Sequence, residues 1–168
     1  MAAAERHPFL HVVLVQPEIP PNTGSIARLC AATGTRLHLV RPLGFSLDDR
    51  YLRRAGLDYW PHVDLQVHDD WHAFLTTREP GPLVGFSAHA ERAYLEAPLA
   101  AGARVYLAFG GEARGLPPEV RRGLGAALYR IPIFSPHVRS LNLANAVSVV
   151  AYEALRQRGL LVLAPPLA

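Results

Sequence analysis

The sequence has few cysteines, no long apolar run near its start and no metal-binding motif, and each of these shortages excludes a class of protein. Its one cysteine, Cys30, excludes an intramolecular disulfide and favours a reducing, cytoplasmic compartment, with Cys30 as a small core residue. The N-terminal apolar run ends at Pro17 after about seven residues, which is typical of a first strand and too short for a signal peptide or a membrane span. The eight histidines are scattered, and neither H-E-x-x-H nor C-x-x-C occurs, so we expect no metal site.

Three catalytic signatures are also missing. The glycine-rich segment FGGEARGLP, residues 109–117, does not match the dinucleotide pattern G-x-G-x-x-G, and no phosphate loop G-x-x-x-x-G-K-[ST] is present. A nicotinamide enzyme and a nucleoside triphosphatase are therefore disfavoured. A serine hydrolase is poorly supported because the chain has no G-x-S-x-G turn.

The composition is that of a compact globular protein. Of the 168 residues, 50% are hydrophobic and 18% are charged, so we expect one domain over residues 1–168 with a full core. The net charge is +3, and arginine carries the positive charge because the chain has no lysine. Arginine binds phosphate through two N–H groups at once, so the composition weakly favours a polyanionic partner.

Short apolar segments alternate with helical patterns along the chain, which predicts an α/β fold with a mostly parallel sheet flanked by helices. We expect strands at residues 9–15, 37–40, 63–67, 83–86, 104–109 and 128–133. Helix starts are expected at polar or proline residues: Asn22 or Thr23, Asp48 or Asp49, Asp69 or Asp70, Pro117 or Pro118, and Asn142.

The last of these helices has the strongest pattern. Its apolar residues recur at helical spacing from Leu143 to Ala154, and Gly159 follows as a stop. Val149 and Tyr152 lie off this stripe, so we expect the helix to be buried on more than one side. The alternative is an ordinary core helix that follows a linker.

Three loops with special backbone residues each follow a predicted strand, and such loops meet at one edge of a parallel sheet. They are residues 20–28, 109–117 and 131–142. Arg28 is expected about one turn into its helix, beside an N-terminus that attracts anions; a solvated surface arginine is the alternative. Glu112 either belongs to the site or forms a weak surface pair with Arg114. Ser140 and Asn142 supply a hydroxyl and an amide that can bind an adenosine or orient an arginine.

A separate segment, RYLRRAGLDYWPH, is called the basic patch below and covers residues 50–62. Its arginines could bind phosphates, and its aromatic rings could stack on unpaired bases. The alternative is an amphipathic helix with a solvated basic face. The candidate RNA-binding residues are Arg50, Arg53, Arg54, Tyr59 and Trp60.

These motifs together resemble the SPOUT class of RNA ribose methyltransferases, and most of all its small bacterial tRNA (cytidine/uridine wobble) 2′-O-methyltransferases. The resemblance covers residues 10–159 and is carried by VLVQPEIPPNTGSIARLCAATGTRLHLVRPLGF, LRRAGLDYW, FGGEARGLP and IPIF…RSLNLANAVSVVAYEALRQ. It implies S-adenosylmethionine as cofactor, a C-terminal deep trefoil knot (an α/β knot), and 2′-O-methylation of tRNA at the wobble nucleotide. It also implies a homodimer through the first and last helices, with the active site at their interface, and no membrane or metal partner.

The same resemblance assigns roles to individual residues. The first family motif contains Asn22 and Arg28, the second contains Gly110, Glu112 and Gly115, and the third runs from Ser140 to Asn142. The implied catalytic residues are Asn22, Arg28, Glu112, Ser140 and Asn142. The implied cofactor-binding residues are Phe86, Gly110, Gly115, Ile131 and Ser140. The loop 131–142 is one residue longer than the family pattern, which affects the cofactor contacts expected between Phe134 and Val138.

Two other functions stay open from the sequence. One is a non-enzymatic RNA-binding module with the same fold, although the presence of Arg28, Glu112, Ser140 and Asn142 argues against it. The other is ribose methylation elsewhere in tRNA, or in rRNA, because the motifs do not specify the nucleotide.

Overall fold

The structure is a computed structural model that describes residues 8–162. Within this range the strands are β1 (Leu10–Val15), β2 (Arg36–Val40), β3 (Asp64–His68), β4 (Leu83–Phe86), β5 (Arg92–Ala93), β6 (Val105–Gly110) and β7 (Leu128–Arg130). The helices are α1 (Pro20–Thr33), α2 (Arg50–Gly56), α3 (Trp71–Thr77), α4 (Pro118–Leu124) and α5 (Leu143–Gln157). Short 3-10 turns cover Leu57–His62 and Tyr94–Glu96.

The strands form one sheet in the order β3-β2-β1-β6-β4-β7-β5, and neighbouring strands pair in parallel. The predicted parallel α/β architecture is therefore confirmed. Parallel neighbours bring the carboxyl ends of β1, β6, β4 and β7 to one edge, where the loops that follow them can meet. The deep knot implied by the resemblance stays a prediction.

Helices cover both faces of the sheet, which is why its central strands are almost continuously apolar. Side chains alternate along β1. Leu10, Val12 and Leu14 belong to the core shared with α1 and α5, whereas Val13 and Val15 belong to a second core shared with α3 and α4.

Most predicted elements lie within a residue or two of their observed positions. Asp70 caps α3 and Asn142 caps α5 as expected, each through a side-chain oxygen that accepts a backbone N–H. The predicted last strand, residues 128–133, is longer than the observed one. β7 ends at Arg130, two residues before Pro132, which has no N–H for a strand ladder. Neither β5 nor the two 3-10 turns were predicted.

The start of α1 was also predicted wrongly. The helix begins at Pro20, with Ile19 as its N-cap, so neither Asn22 nor Thr23 is the cap. Proline is well suited to the first helical position, where its missing N–H would have no partner. Arg28 is consequently the ninth residue of α1, more than two turns from the N-terminus, and the expected anion site beside it is not formed.

Three buried histidines lie side by side on the face of the sheet that carries the second core, and we call them the histidine row. His11 on β1 contacts His38 on β2 through Nδ1 and Nε2 at 2.9 Å, and His38 contacts His68 on β3 in the same way at 2.9 Å. The Nε2 of His11 lies 3.1 Å from the carbonyl of Pro8, which can only accept. His11 therefore carries its proton on Nε2, and the same tautomer follows for His38 and His68.

Burial lowers the pKa of each histidine in the row. The pKa of His11 falls to about 4, with Arg36 as the next cause after burial. The pKa of His38 falls to about 3 through burial and its two histidine neighbours, and burial also lowers the pKa of His68. A second proton on His38 would point an Nδ1–H at the Nε2–H of His68, so the row is built for neutral imidazoles.

We predict that the free energy of unfolding falls as the pH drops from 7.5 to 5.5. The unfolded chain gains protons on these histidines below about pH 6.5, while the folded chain does not until much lower pH, so acid favours unfolding. Each such histidine contributes a slope approaching about 1.4 kcal/mol per pH unit. Urea denaturation at several pH values measures the slope.

Two variants control this measurement. His38→Phe removes one member of the row and should flatten the slope, whereas His72→Gln changes an exposed histidine outside the row and is the control for replacing a histidine as such. A free energy of unfolding that does not change between pH 7.5 and 5.5 would contradict the assigned neutral row.

Candidate active site

A cleft of about 800 Å³ lies at the carboxyl edge of the sheet. Residues from the start of α1, the loop after β4, the loop after β6 and the loop 131–142 line it. The predicted convergence of three loops is thus observed, and the β4 loop adds a fourth wall. This volume is in the range of pockets that hold nucleoside-sized ligands.

Glu112 joins the β6 loop to the start of α1. Its Oε2 accepts the backbone N–H of Glu18 at 2.7 Å, and its Oε1 accepts the N–H of Ile19 at 3.1 Å. Oε1 also accepts from Nδ2 of Asn22 at 3.3 Å. The carboxylate lies at the N-terminal end of a helix, where negative charge is favourable. Glu112 is therefore bound to the start of α1, and these contacts favour a role at the site over a surface pair with Arg114.

Asn142 and Asn22 extend this connection to the third loop. Nδ2 of Asn142 donates to Oδ1 of Asn22 at 2.9 Å, while Oδ1 of Asn142 accepts the N–H of Asn145 and caps α5. We call Asn142, Asn22 and Glu112 the Asn–Asn–Glu chain. It connects three loops, and its members Glu112 and Asn142 lie 90 and 120 residues from Asn22 in sequence. Both amides are oriented because each uses its oxygen and its nitrogen.

Glu18 completes the same junction, and the sequence analysis did not identify it. Its Oε2 accepts the backbone N–H of Ala113 at 3.1 Å, while its own N–H donates to Glu112. The two carboxylates thus each bind the backbone of the other's loop. The sequence did contain a signal for Glu18. It is an acidic residue in the proline-containing turn directly after β1, and the other predicted site loops also lie directly after strands.

The glycines of the β6 loop are required by close backbone contact. A Cβ built on Gly110 would lie 1.9 Å from the carbonyl carbon of Gly115, and one on Gly111 would lie 2.5 Å from the carbonyl oxygen of Gln16. Gly115 has a φ of 66°, which favours glycine. This wall of the cleft is therefore made of peptide groups.

The other predicted cofactor-binding residues also line the cleft. Phe86 stacks on Phe109 with ring centroids 5.0 Å apart, which gives the cleft an aromatic floor. Ile131 adds an apolar wall, and Ser140 adds a hydroxyl beside Asn142. Four further polar residues that were not predicted from the sequence line the cleft: Ser87, His89, Arg121 and Arg139.

Arg28 lies outside this cleft. Its guanidinium carbon is 4.9 Å from the centroid of the Tyr59 ring, so Arg28 contacts the basic patch. Asn22 and Arg28 are six residues apart on α1, which places them about 9 Å apart along the axis and about 120° apart around it. The expected approach of Arg28 to the Gly110 and Ile131 loops is not made within one chain.

The basic patch is only partly as predicted. Arg50 and Arg54 are exposed, and Arg50 donates from Nη2 to the hydroxyl of Tyr51 at 2.9 Å. Tyr59 is 39% exposed. Trp60, by contrast, is half-buried and packs against the main core, so it does not present a free ring for base stacking. The side chain of Arg53 lies outside the described residues.

Residues 9–152 match the SpoU rRNA Methylase family. The chain belongs to this family. An Escherichia coli (strain K12) relative named tRNA (cytidine(34)-2'-O)-methyltransferase is 49% identical over 157 residues, which cover 90% of this chain and 95% of that protein.

Solved structures of SpoU-type proteins have the same fold. One described as "Structural insights into the 2-OH methylation of C/U34 on tRNA" has a TM-score of 0.81 and 54% identity, and the match covers 88% of this chain and 95% of that one. An AdoMet-bound rRNA methyltransferase from Sinorhizobium meliloti has a TM-score of 0.79 and 27% identity, over 90% of this chain and 57% of that one.

The described residues 8–162 hold no group of three or more histidine, cysteine, aspartate or glutamate side chains placed to bind a metal ion. They also include no helix that combines the length and apolarity needed to cross a bilayer.

We predict that Gly110→Ala destabilises the fold by about 1–3 kcal/mol, the usual cost of forcing extra volume into a packed site. The added Cβ meets backbone that cannot rotate away. Gly123→Ala is the matched control, because a Cβ there has open space and alanine suits a helix better. Urea denaturation of both variants measures the difference, and equal stabilities would contradict the tight contact at Gly110.

Proposed function

We propose that this SpoU-family chain is an S-adenosylmethionine-dependent tRNA 2′-O-methyltransferase that acts on the wobble nucleotide, position 34, in the cytoplasm. The observation that carries the proposal is the meeting of Asn22, Glu112, Ser140 and Asn142 at one cleft walled by the β6 loop. Relatives with almost the same length and about half the residues identical carry this activity in their names.

The cleft fits the cofactor in size and in chemistry. Its aromatic floor at Phe86 and its apolar wall at Ile131 suit a nucleoside, and the close-packed glycines let backbone N–H and C=O groups face a ligand without side chains between. S-adenosylmethionine supplies a methyl group on a positively charged sulfur. We propose Phe86, Gly110, Gly115, Ile131 and Ser140 as the residues that hold it.

The contacts of Glu112 argue against a role as the base that accepts the proton of the ribose hydroxyl. Its two oxygens already accept three N–H groups, so it is poorly placed to take the proton of a ribose hydroxyl. We assign it to holding the start of α1. A guanidinium is a poor base in proteins, so we assign Arg28 another role: its N–H groups can bind a phosphate and stabilise the negative charge that develops on the 2′-oxygen.

We further propose that a complete site needs two chains. Arg28 does not reach the cleft of its own chain, whereas the resemblance places the family's active sites at a dimer interface. On α5, Val149 and Tyr152 are 38% and 47% exposed, although the opposite stripe of the helix, which includes Val147, Val150 and Ala151, is buried. A second chain packed on α1 and α5 would cover these apolar side chains and bring Arg28 to the partner's cleft.

RNA binding is assigned to the basic patch, through Arg50, Arg53 and Arg54. The contact between Arg28 and Tyr59 supports this assignment, because it makes the patch continuous with the arginine proposed to act on the ribose. The phosphate backbone that arginines bind is present in any RNA, so the patch favours an RNA partner without naming the nucleotide.

Methyl transfer to tRNA tests the proposed function. Purified protein with S-adenosylmethionine should methylate tRNA at position 34, as read by mass spectrometry of nuclease fragments. A matched tRNA with a 2′-deoxynucleotide at position 34 removes only the accepting hydroxyl and should accept no methyl group. Methylation at another position would support one of the alternative targets, and cofactor binding without transfer to any RNA would support the non-catalytic module.

A mixing experiment tests the shared site. Arg28→Ala should lower the single-turnover rate by about 10²- to 10³-fold, the cost of losing one preorganised donor. Ser140→Trp, which fills the cleft, should also be inactive. If Arg28 serves the partner's cleft, chains mixed by unfolding and refolding together should regain activity, since each mixed dimer has one intact site. Mixtures that stay inactive although mixed dimers form would contradict the shared site.

A further inference from the structure

The side chain of Arg28 is held by an aromatic ring instead of a carboxylate. Its guanidinium carbon lies 4.9 Å from the centroid of Tyr59, a residue of the 3-10 turn Leu57–His62 that packs against α1. Some other arginines of the described chain pair with acids, including Arg36 with Asp64 at 2.7 Å, and four others lie over aromatic rings as Arg28 does. No ion pair of Arg28 is found among the described residues.

This choice of partner has a chemical consequence. A carboxylate would occupy the N–H groups of Arg28 and neutralise its charge, and it would then compete with a phosphate or a developing oxyanion. A ring attracts the cation through its face and accepts no strong hydrogen bond, so the charge and the five N–H donors stay available. The ring also limits the rotamers of a long, exposed side chain.

We propose that Tyr59 is a positioning residue: it holds the guanidinium of Arg28 in place for the reaction while leaving its donors free. This inference rests on the proposed function. It changes the role expected for Tyr59, from stacking on an RNA base to orienting an arginine of its own chain. The two roles differ in what they affect, because base stacking changes tRNA affinity and positioning changes the rate once tRNA is bound.

The test compares Tyr59→Leu and Tyr59→Phe in single-turnover methylation with tRNA and S-adenosylmethionine saturating. Loss of the ring should lower the rate about two- to fivefold, the scale of a lost cation–π contact at an exposed site, while tRNA affinity stays at the wild-type value. Phenylalanine keeps the ring face and should restore most of the rate. Tyr51→Leu is the matched comparison: it removes a ring of the same patch that contacts Arg50 and should act mainly on tRNA affinity.

A double-mutant cycle shows whether Tyr59 acts through Arg28. In an Arg28→Ala background, Tyr59→Leu should cause no further loss of rate, because there is no guanidinium to hold. An equal further loss would overturn the inference, as would a Tyr59→Leu variant with weakened tRNA binding and a wild-type saturated rate. If wild-type protein transfers no methyl group to any tRNA, the proposed function falls and this inference with it, an outcome distinct from the other two.

Discussion

The geometry of the cleft depends on the Asn–Asn–Glu chain. Its three members come from three loops, and each link uses a donor and an acceptor that have no freedom to exchange roles. One end is fixed by the cap of α5 and the other by the backbone at the start of α1. The hydrogen bonds that Glu112 accepts from Glu18 and Asn22 are partly buried and involve a charged group, which places them among the stronger ones, so Glu112 holds the β6 loop against the start of α1.

These contacts separate the residues that hold the loops together from those proposed to act in the reaction. Asn22, Glu112 and Asn142 carry the family's motifs, yet their polar atoms are largely engaged with one another. The hydroxyl of Ser140 lines the cleft outside this chain of contacts, and the guanidinium of Arg28 lies outside the cleft, over the ring of Tyr59. The motif residues shape the site, and the chemistry is proposed to depend on an arginine that another chain's cleft would use.

Much of the fold could be predicted from the sequence, because strands buried on both faces read as apolar runs and helix caps read as single polar residues. Asp70 and Asn142 are such caps, and the convergence of loops followed from the order of strands and helices. The start of α1 was missed because Pro20 and Pro21 look like helix breakers, although they fit the first turn. At two residues, β5 is too short to show a period.

The site was predicted less completely than the fold. Glycines and amides in the right loops are visible in sequence, but the direction of a side chain on a helix is set by where the helix begins. The observed cap of α1, Ile19, lies three residues before the predicted cap Asn22, and the side chain of Arg28 lies outside the cleft that its motif suggested. The burial of Trp60 and the partner of Tyr59 depend on contacts across the chain, which local pattern does not contain.

The histidine row restricts which amino-acid substitutions this sheet can accept during evolution. All three imidazoles point their protons the same way, and the carbonyl of Pro8 prevents the reverse order. Replacing any one of them by an apolar residue leaves a neighbour's buried nitrogen without a partner, whereas replacing all three together leaves none. The three positions, on three different strands, therefore form one unit of substitution, and lineages would be expected to keep the whole row or to lose it in concert.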